Sequence, residues 1–466
     1  MNIGDTGTGT VNIQNNATLN VTADLTVGGT NAYSGPLTDT LAIASGGTVT
    51  VGGSVTVGNN PNIVATMTID GTGSSLQDSG GLLIGNNGAG QVTITGGASV
   101  SAVGIDIGGF SAAPSTLTVT GGSTVTATSN LLVGYNGNGT LAIQSGGTVS
   151  ANEVIVGDQA SASGTVTVDG SGSSLTSSTD LVVGFYGAGH LTVSNGARVT
   201  NANGYIGYEP GFANDATVTG AGSTWTNTGA LVVGGGLTTA GNGSLTIDAG
   251  GTVNADGVFI GYQVGSVGAI TIQGSNSILA NTAGLAVGYG GTGTLLVLNG
   301  GTTSSNFGAI GGFSSGTVTV DGAGSKWTDT GDLIIGSHGA GTLTLANGGV
   351  TSVAGIVYLA QAAGSVGTLN IGAAPGSTAV GAGTLTASTI ELGAGTGTIN
   401  FNHTDTAYVF SAAIIGPGTI NQISGVTDLT ADSGLFTGAT NITGGRLAVN
   451  GSLTNSQVTV ASGGIL

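Results

Sequence analysis

Polar and apolar residues alternate in short runs along most of this chain, as in Thr165-Val166-Thr167-Val168 and Thr342-Leu343-Thr344-Leu345. A period of two places one set of side chains on a buried face and the other in solvent, which predicts half-buried β-strands. A second short strand ends on a glycine, as in Leu131-Leu132-Val133-Gly134. Turn signals such as Gly146-Gly147, Asn299-Gly300-Gly301 and Gly348-Gly349 separate the runs. Helical periodicity is found nowhere.

The apolar-glycine pair recurs. Its glycines fall at 4, 28, 58, 85, 108, 134, 157, 184, 207, 234, 261, 288, 311 and 336, and from Gly58 onward they stand 23 to 27 residues apart. Longer and shorter intervals mostly alternate, so the full repeat is close to 50 residues, as Gly85, Gly134, Gly184 and Gly234 display. Repeats of this size signal a solenoid, propeller or array. Two or three strands per interval are too few for a four-stranded propeller blade but suit one coil of a β-helix. The expected fold is therefore all-β, a right-handed parallel β-helix (β-solenoid) with about 23–27 residues per rung. The regular pattern covers residues 1–375, and a looser continuation covers 376–466. A lone coil cannot bury its own apolar face, so such coils come in series.

Composition narrows the partners. Charged residues are 5% of the 466, and Arg198, Lys326 and Arg446 are the only basic side chains against a net charge of −18. Nucleic-acid binding is excluded, because it needs several Lys or Arg at phosphates. Attraction to anionic lipid headgroups fails likewise. No apolar run approaches the roughly 20 residues of a membrane-spanning helix, so no direct membrane insertion of this segment is expected. Cysteine is absent, which removes disulfides, thiolate metal sites and cysteine nucleophiles. Ile3-Gly4 already matches a repeat corner, no signal peptide precedes it, and Gly463-Gly464-Ile465-Leu466 stop in mid-pattern. The chain thus reads as a piece of something longer.

Val318 to Gly336, with Trp327 inside it, recurs as Ala216 to Gly234 with Trp225 and as Val166 to Gly184 with Leu175. This unit resembles the repeat shared by autotransporter (type V secreted) and PEP-CTERM-associated proteins. Gly434 to Leu453 is similar to the autotransporter-associated β-strand repeat. The resemblance implies an autotransporter passenger stalk, a β-helix displayed outside a Gram-negative cell, and no catalytic residues.

A search for chemistry agrees. A serine hydrolase needs Ser, His and a carboxylate within hydrogen-bond reach. His190, His338 and His403 occupy unequal repeat positions and read as solvated turn residues. Asp70, Asp169 and Asp321 share one slot, yet the first two are about four rungs apart, roughly 19 Å at 4.8 Å per rung. No catalytic, cofactor-binding or metal-ligating set is expected. The densest charge, at Asp321, Lys326, Asp329 and Asp332, reads as a solvated edge. Trp225 and Trp327 share a slot with leucines and read as core. An outward threonine column, including Thr167, Thr192 and Thr217, is too interrupted in its flanking column for an ice-binding array and suits ordinary outward strand positions.

One outward column stands apart. Residues one or two after the corner glycines include Phe110, Tyr135, Phe185, Tyr208, Tyr262, Tyr289 and Phe313, interrupted at Asp158 and Gly235. Such a row either shields a corner or forms an interaction stripe. The expected role is a non-catalytic, surface-displayed or secreted stalk or adhesin, contacting glycans, a host or neighbouring-cell surface, or itself. A self-associating surface or matrix protein is the alternative, and a carbohydrate-active β-helix enzyme a more distant one.

Overall fold

The computed structural model describes residues 1–5, 7–29, 37–110 and 113–466. The fold is an all-β parallel solenoid, and the chain divides into two compact units, residues 1–229 with 242–244, and residues 230–241 with 245–466.

One coil of the first unit explains the rest. The long strand Ser163–Asp169 turns Gly164, Val166 and Val168 inward and leaves the threonines between them outside. After a turn, the middle strand Ser174–Ser177 buries Leu175 and Ser177. The corner strand Asp180–Val183 follows and buries Leu181 and Val183. Gly184 then turns the chain toward the next long strand, Ala188–Ser194. Each strand pairs in parallel with its counterpart one coil later: Val166 with Leu191, Leu175 with Val199, Leu181 with Gly204. Three parallel sheets therefore surround one apolar core in each unit. The second unit repeats the plan, for example with Ser315–Asp321, Lys326–Asp329 and Leu333–Ile335.

All fourteen corner glycines read from the sequence have positive φ, as the turn demands. At Gly134 (φ +73°) a Cβ would also come within 2.6 Å of the Ser163 carbonyl group, so glycine is needed for space as well as conformation. The series continues past Gly336 with a corner that the glycine pattern misses. There Ala360 takes φ +53° after the strand Val357–Leu359.

Long and short coils differ at several turns: Asn138 pairs with Ser163, four residues past corner Gly134 but six past corner Gly157, and the turn between long and middle strands differs in its residues as well. Short coils turn through a left-handed residue followed by glycine, and Asn195, Asn299 and Asn347 (φ +53°, +51° and +49°) suit that conformation. Long coils carry a buried serine instead. Ser173 Oγ accepts the Gly146 N–H at 3.1 Å, Ser223 that of Gly196 at 2.9 Å, and Ser325 that of Gly300 at 3.0 Å. Ser74, Ser123 and Ser277 make the same bond. The roughly 50-residue sequence repeat is thus a pair of coils clasped by one hydroxyl.

Interior positions are not all apolar. Trp225 and Trp327 are fully buried, and their indole N–H groups donate to Asn201 Oδ1 (2.7 Å) and Ser305 Oγ (3.0 Å). Toward the end of the second unit the plan changes. The strands Tyr408–Phe410, Val426–Leu429, Gly445–Val449 and Gly464–Ile465 form a separate parallel sheet. Thr419 pairs with Ala439 and Ala439 with Gln457, so these coils are shorter than the earlier ones. An asparagine ladder links successive long strands here, Asn370 to Asn400 to Asn421 to Asn441, with amide bonds of 2.9, 2.9 and 3.1 Å and its first two members buried.

Candidate interaction surface

The corner where each corner strand hands over to the next long strand carries the aromatic residues. A corner strand has two inward residues with one outward residue between them. That outward position is itself apolar over much of the chain: Leu132, Ile155 and Val182 in the first unit, Phe259 and Ile334 in the second. Val182 and Tyr205 are buried although they point away from the core. Cover for Tyr205 comes from the corner turn, where Tyr208 packs against it with ring centroids 5.3 Å apart. In the second unit Phe259 lies 5.2 Å from Tyr262 and 5.9 Å from Tyr289. A thin second apolar layer thus lies outside the solenoid wall.

The predicted stripe divides into two populations. Tyr135, Phe185, Tyr208 and Tyr262 are half-buried, lying against that outer layer or one another. Phe110 and Phe313 protrude, 67% and 65% exposed, and Tyr289 is 40% exposed. Offset from the corner glycine explains much of the split. Residues directly after the glycine lean back on the sheet, whereas Phe110 and Phe313 come second and stand off it. Rings on adjacent coils touch: Phe185 and Tyr208 at 5.1 Å, Tyr262 and Tyr289 at 5.4 Å and nearly parallel, Tyr289 and Phe313 at 5.8 Å, Phe110 and Tyr135 at 6.2 Å.

Two members escaped the sequence reading. Tyr186, 46% exposed, packs edge-on to Phe185. His338 stacks on Phe313 with centroids 5.1 Å apart, extending the row by one coil. Both occupy the second position after a corner glycine, inside the two-residue slot already defined, where one phenylalanine or tyrosine per corner was counted and histidine was not.

Interruptions in the row are acidic or small. Asp158, nearly buried, accepts a bond from Gln159 Nε2 at 2.8 Å. Asp106 takes the outward slot of its corner strand. Burial, reinforced by the Asp158 charge, pushes its carboxyl up to about 6.

The remaining ionisable groups do not converge. His190 is in the strand Ala188–Ser194, not in a turn as its sequence setting implied. Its Nδ1 lies 2.5 Å from Asp215 Oδ1 on the adjacent coil, with both side chains open to solvent. A triad needs a sheltered carboxylate and a hydroxyl nucleophile in line, and this exposed pair supplies neither. His403 also departs from the solvated-turn expectation. It is fully buried, with Nε2 2.9 Å from Thr427 Oγ1, and burial lowers its pKa. Only His338 sits in an exposed turn.

The Asp321–Asp332 segment is likewise not a uniform solvated edge. Asp329 points into the core at 1% exposure, while Lys326 is exposed on the same strand. Asp321 accepts Asn347 Nδ2 at 2.7 Å, and Asp332 accepts the Ile356 N–H at 2.8 Å. Asp169 accepts bonds from Ser194 and Asn195, which lower its pKa. These carboxylates fasten one turn to the next. Among the described residues no group of three or more His, Asp or Glu side chains could hold a metal, and no helix is long and apolar enough to cross a membrane.

No family model matches the chain. Over 240 residues it is 30% identical to an uncharacterized lipoprotein, YdeK, of Escherichia coli (strain K12), a match covering 48% of this chain and 14% of that protein. Over 87 residues it is 38% identical to the adhesin BmaC autotransporter of Brucella suis biovar 1 (strain 1330), covering 18% of this chain and 2% of that protein. The second match agrees with the autotransporter resemblance carried by the repeats. The chain thus spans a small part of the length of the curated relatives it matches. A solved hyper-glycosylated fragment of TibA aligns over 98% of this chain at 15% identity, but with a TM-score of 0.26 it carries no weight for the fold.

Proposed function

We propose that this chain is part of a non-catalytic stalk or adhesin of autotransporter type, displayed on the bacterial surface, whose contacts run along the aromatic corner. The observation that carries the reading is the recurrence, in each unit, of exposed aromatic rings at the corner turns, with rings on adjacent coils in contact. Similarity to an autotransporter adhesin supports the setting. The dispersed carboxylates, several of which fasten one turn to the next, support a binding role over a catalytic one.

The test is adhesion by cells displaying the chain, with Phe110, Tyr186, Tyr289 and Phe313 replaced together by serine. These rings are at least 40% exposed, so the fold should survive. Adhesion should fall at least tenfold with the circular dichroism spectrum unchanged. Unchanged adhesion by a folded quadruple variant would refute the proposal. Cleavage of a polysaccharide by the purified chain, lost on changing one aspartate, would refute its non-catalytic part.

A further inference from the structure

We infer that Phe110 and Phe313 are built platforms for a neutral, extended polysaccharide, an inference that rests on the adhesin reading above and supplies its ligand class. The same five residues, Ile-Gly-Gly-Phe-Ser, occur at 107–111 and 310–314, once in each unit. In both cases the phenylalanine is about two-thirds exposed and stands across a tyrosine of an adjacent coil, at 73° to Tyr135 and 89° to Tyr289. In both cases its backbone N–H is tied to the previous coil, at 2.6 Å to the Asn86 carbonyl and 2.8 Å to that of Tyr289. In the second unit His338 lies within 24° of the Phe313 ring plane. Each ring is therefore positioned by its neighbours while keeping surface open to solvent, an arrangement that costs burial and gains nothing for the wall beneath.

The side chains around the rings select the ligand. Beside Asp158, Glu209 and small residues, the corner slots not filled by aromatics hold a set of amides: Asn59 and Asn86, joined at 2.9 Å, then Asn136, Gln159, Gln263 and Gln361. Flat apolar rings beside amide donors and acceptors match a pyranose, whose C–H face packs on a ring while its hydroxyls seek hydrogen bonds. Acidic polymers are disfavoured, because Arg198, Lys326 and Arg446 all lie on strands of other sheets and no lysine or arginine stands on these corner turns. A second copy is disfavoured too, since it would bring together two chains of net charge −18 with Asp158 and Glu209 on the facing corners. Successive coils rise by about 4.8 Å, close to the advance of one sugar in an extended glycan, so corner and polymer can stay in step.

The experiment is native affinity electrophoresis of the whole chain through gels containing hydroxyethylcellulose, galactomannan or xylan, with alginate as the acidic comparison. At least one neutral polymer should retard the chain, alginate should not, and the Phe110→Ser, Phe313→Ser double variant should weaken retardation tenfold or more. If that variant fails to fold, Phe110→Leu with Phe313→Leu keeps the apolar bulk, removes the flat faces and should lose binding equally. The inference is overturned if no neutral polymer retards the chain, if alginate does so alone, or if the folded variant binds as well as its parent. A concentration-dependent dimer in sedimentation velocity, abolished by the variant, would also overturn it by identifying a second copy as the occupant. Adhesion of displaying cells separates the two levels. Adhesion lost in the variant without polysaccharide binding overturns the ligand class alone, and adhesion retained overturns the adhesin reading beneath it.

Discussion

Asp329 offers a sharp test of the internal energetics. Its carboxyl sits inside the second unit at 1% exposure, where Oδ1 accepts the Gly331 N–H at 3.1 Å and Oδ2 accepts the Ser305 hydroxyl at 3.1 Å. Desolvation outweighs those bonds, with a smaller push from Asp332, and raises the pKa from 3.8 to about 6. Between these two values the folded chain holds a proton that the unfolded chain has released. Stability from this group is therefore fully present below 3.8 and is lost as pH rises through about 6. At about 1.4 kcal/mol per pH unit, the loss by pH 7.5 is on the order of 3 kcal/mol. Asp329→Asn removes the titration while keeping an oxygen for Gly331 and offering an N–H to Ser305. Trp327, bonded to Ser305, reports locally. In a Trp225→Phe background, urea unfolding followed by Trp327 fluorescence should show the asparagine variant more stable by about 2–3 kcal/mol at pH 7.5. The two proteins should converge near pH 4. Equal stability at pH 7.5, or a difference that does not change with pH, would refute the account of a strained buried carboxylate.

Two further changes probe the coil itself. Ser173→Ala should leave the Gly146 N–H without its partner and weaken that turn by about 1–3 kcal/mol, read as faster amide exchange around Gly146 and Ser173. A Ser174→Ala control, beginning the next strand, should have a much smaller effect. Gly134→Ala should cost more than the roughly 1–2 kcal/mol of a left-handed alanine, because its Cβ also meets the Ser163 backbone. Its midpoint in thermal unfolding should fall, and an unchanged midpoint would contradict the packing argument.

The solenoid was legible because its signals are local and repeated. Alternating Thr-Val pairs encode which face is buried, and a glycine with positive φ marks each turn of the wall, so a period read along the chain becomes a coil in space. Where another residue takes the same conformation, as Ala360 does, the signal vanishes although the geometry persists. The buried tryptophans were readable for a related reason: a slot shared with leucine is interior whatever its sequence neighbours.

What the chain alone did not reveal depends on which side of the wall a residue faces and on what covers it. Asp329 and Lys326 stand three apart on one strand, yet one enters the core and the other meets water, a difference of side that a local charge count does not register. His190 found Asp215, 25 residues away, only through the register of adjacent coils. The aromatic row was visible as a column, but its division into shielding and protruding rings required coordinates. Whether a ring leans back or stands off depends on one residue of offset and on Tyr205 or Phe259 lying beneath it. Sequence period determines the coil; exposure is set by neighbours that meet only when coils stack.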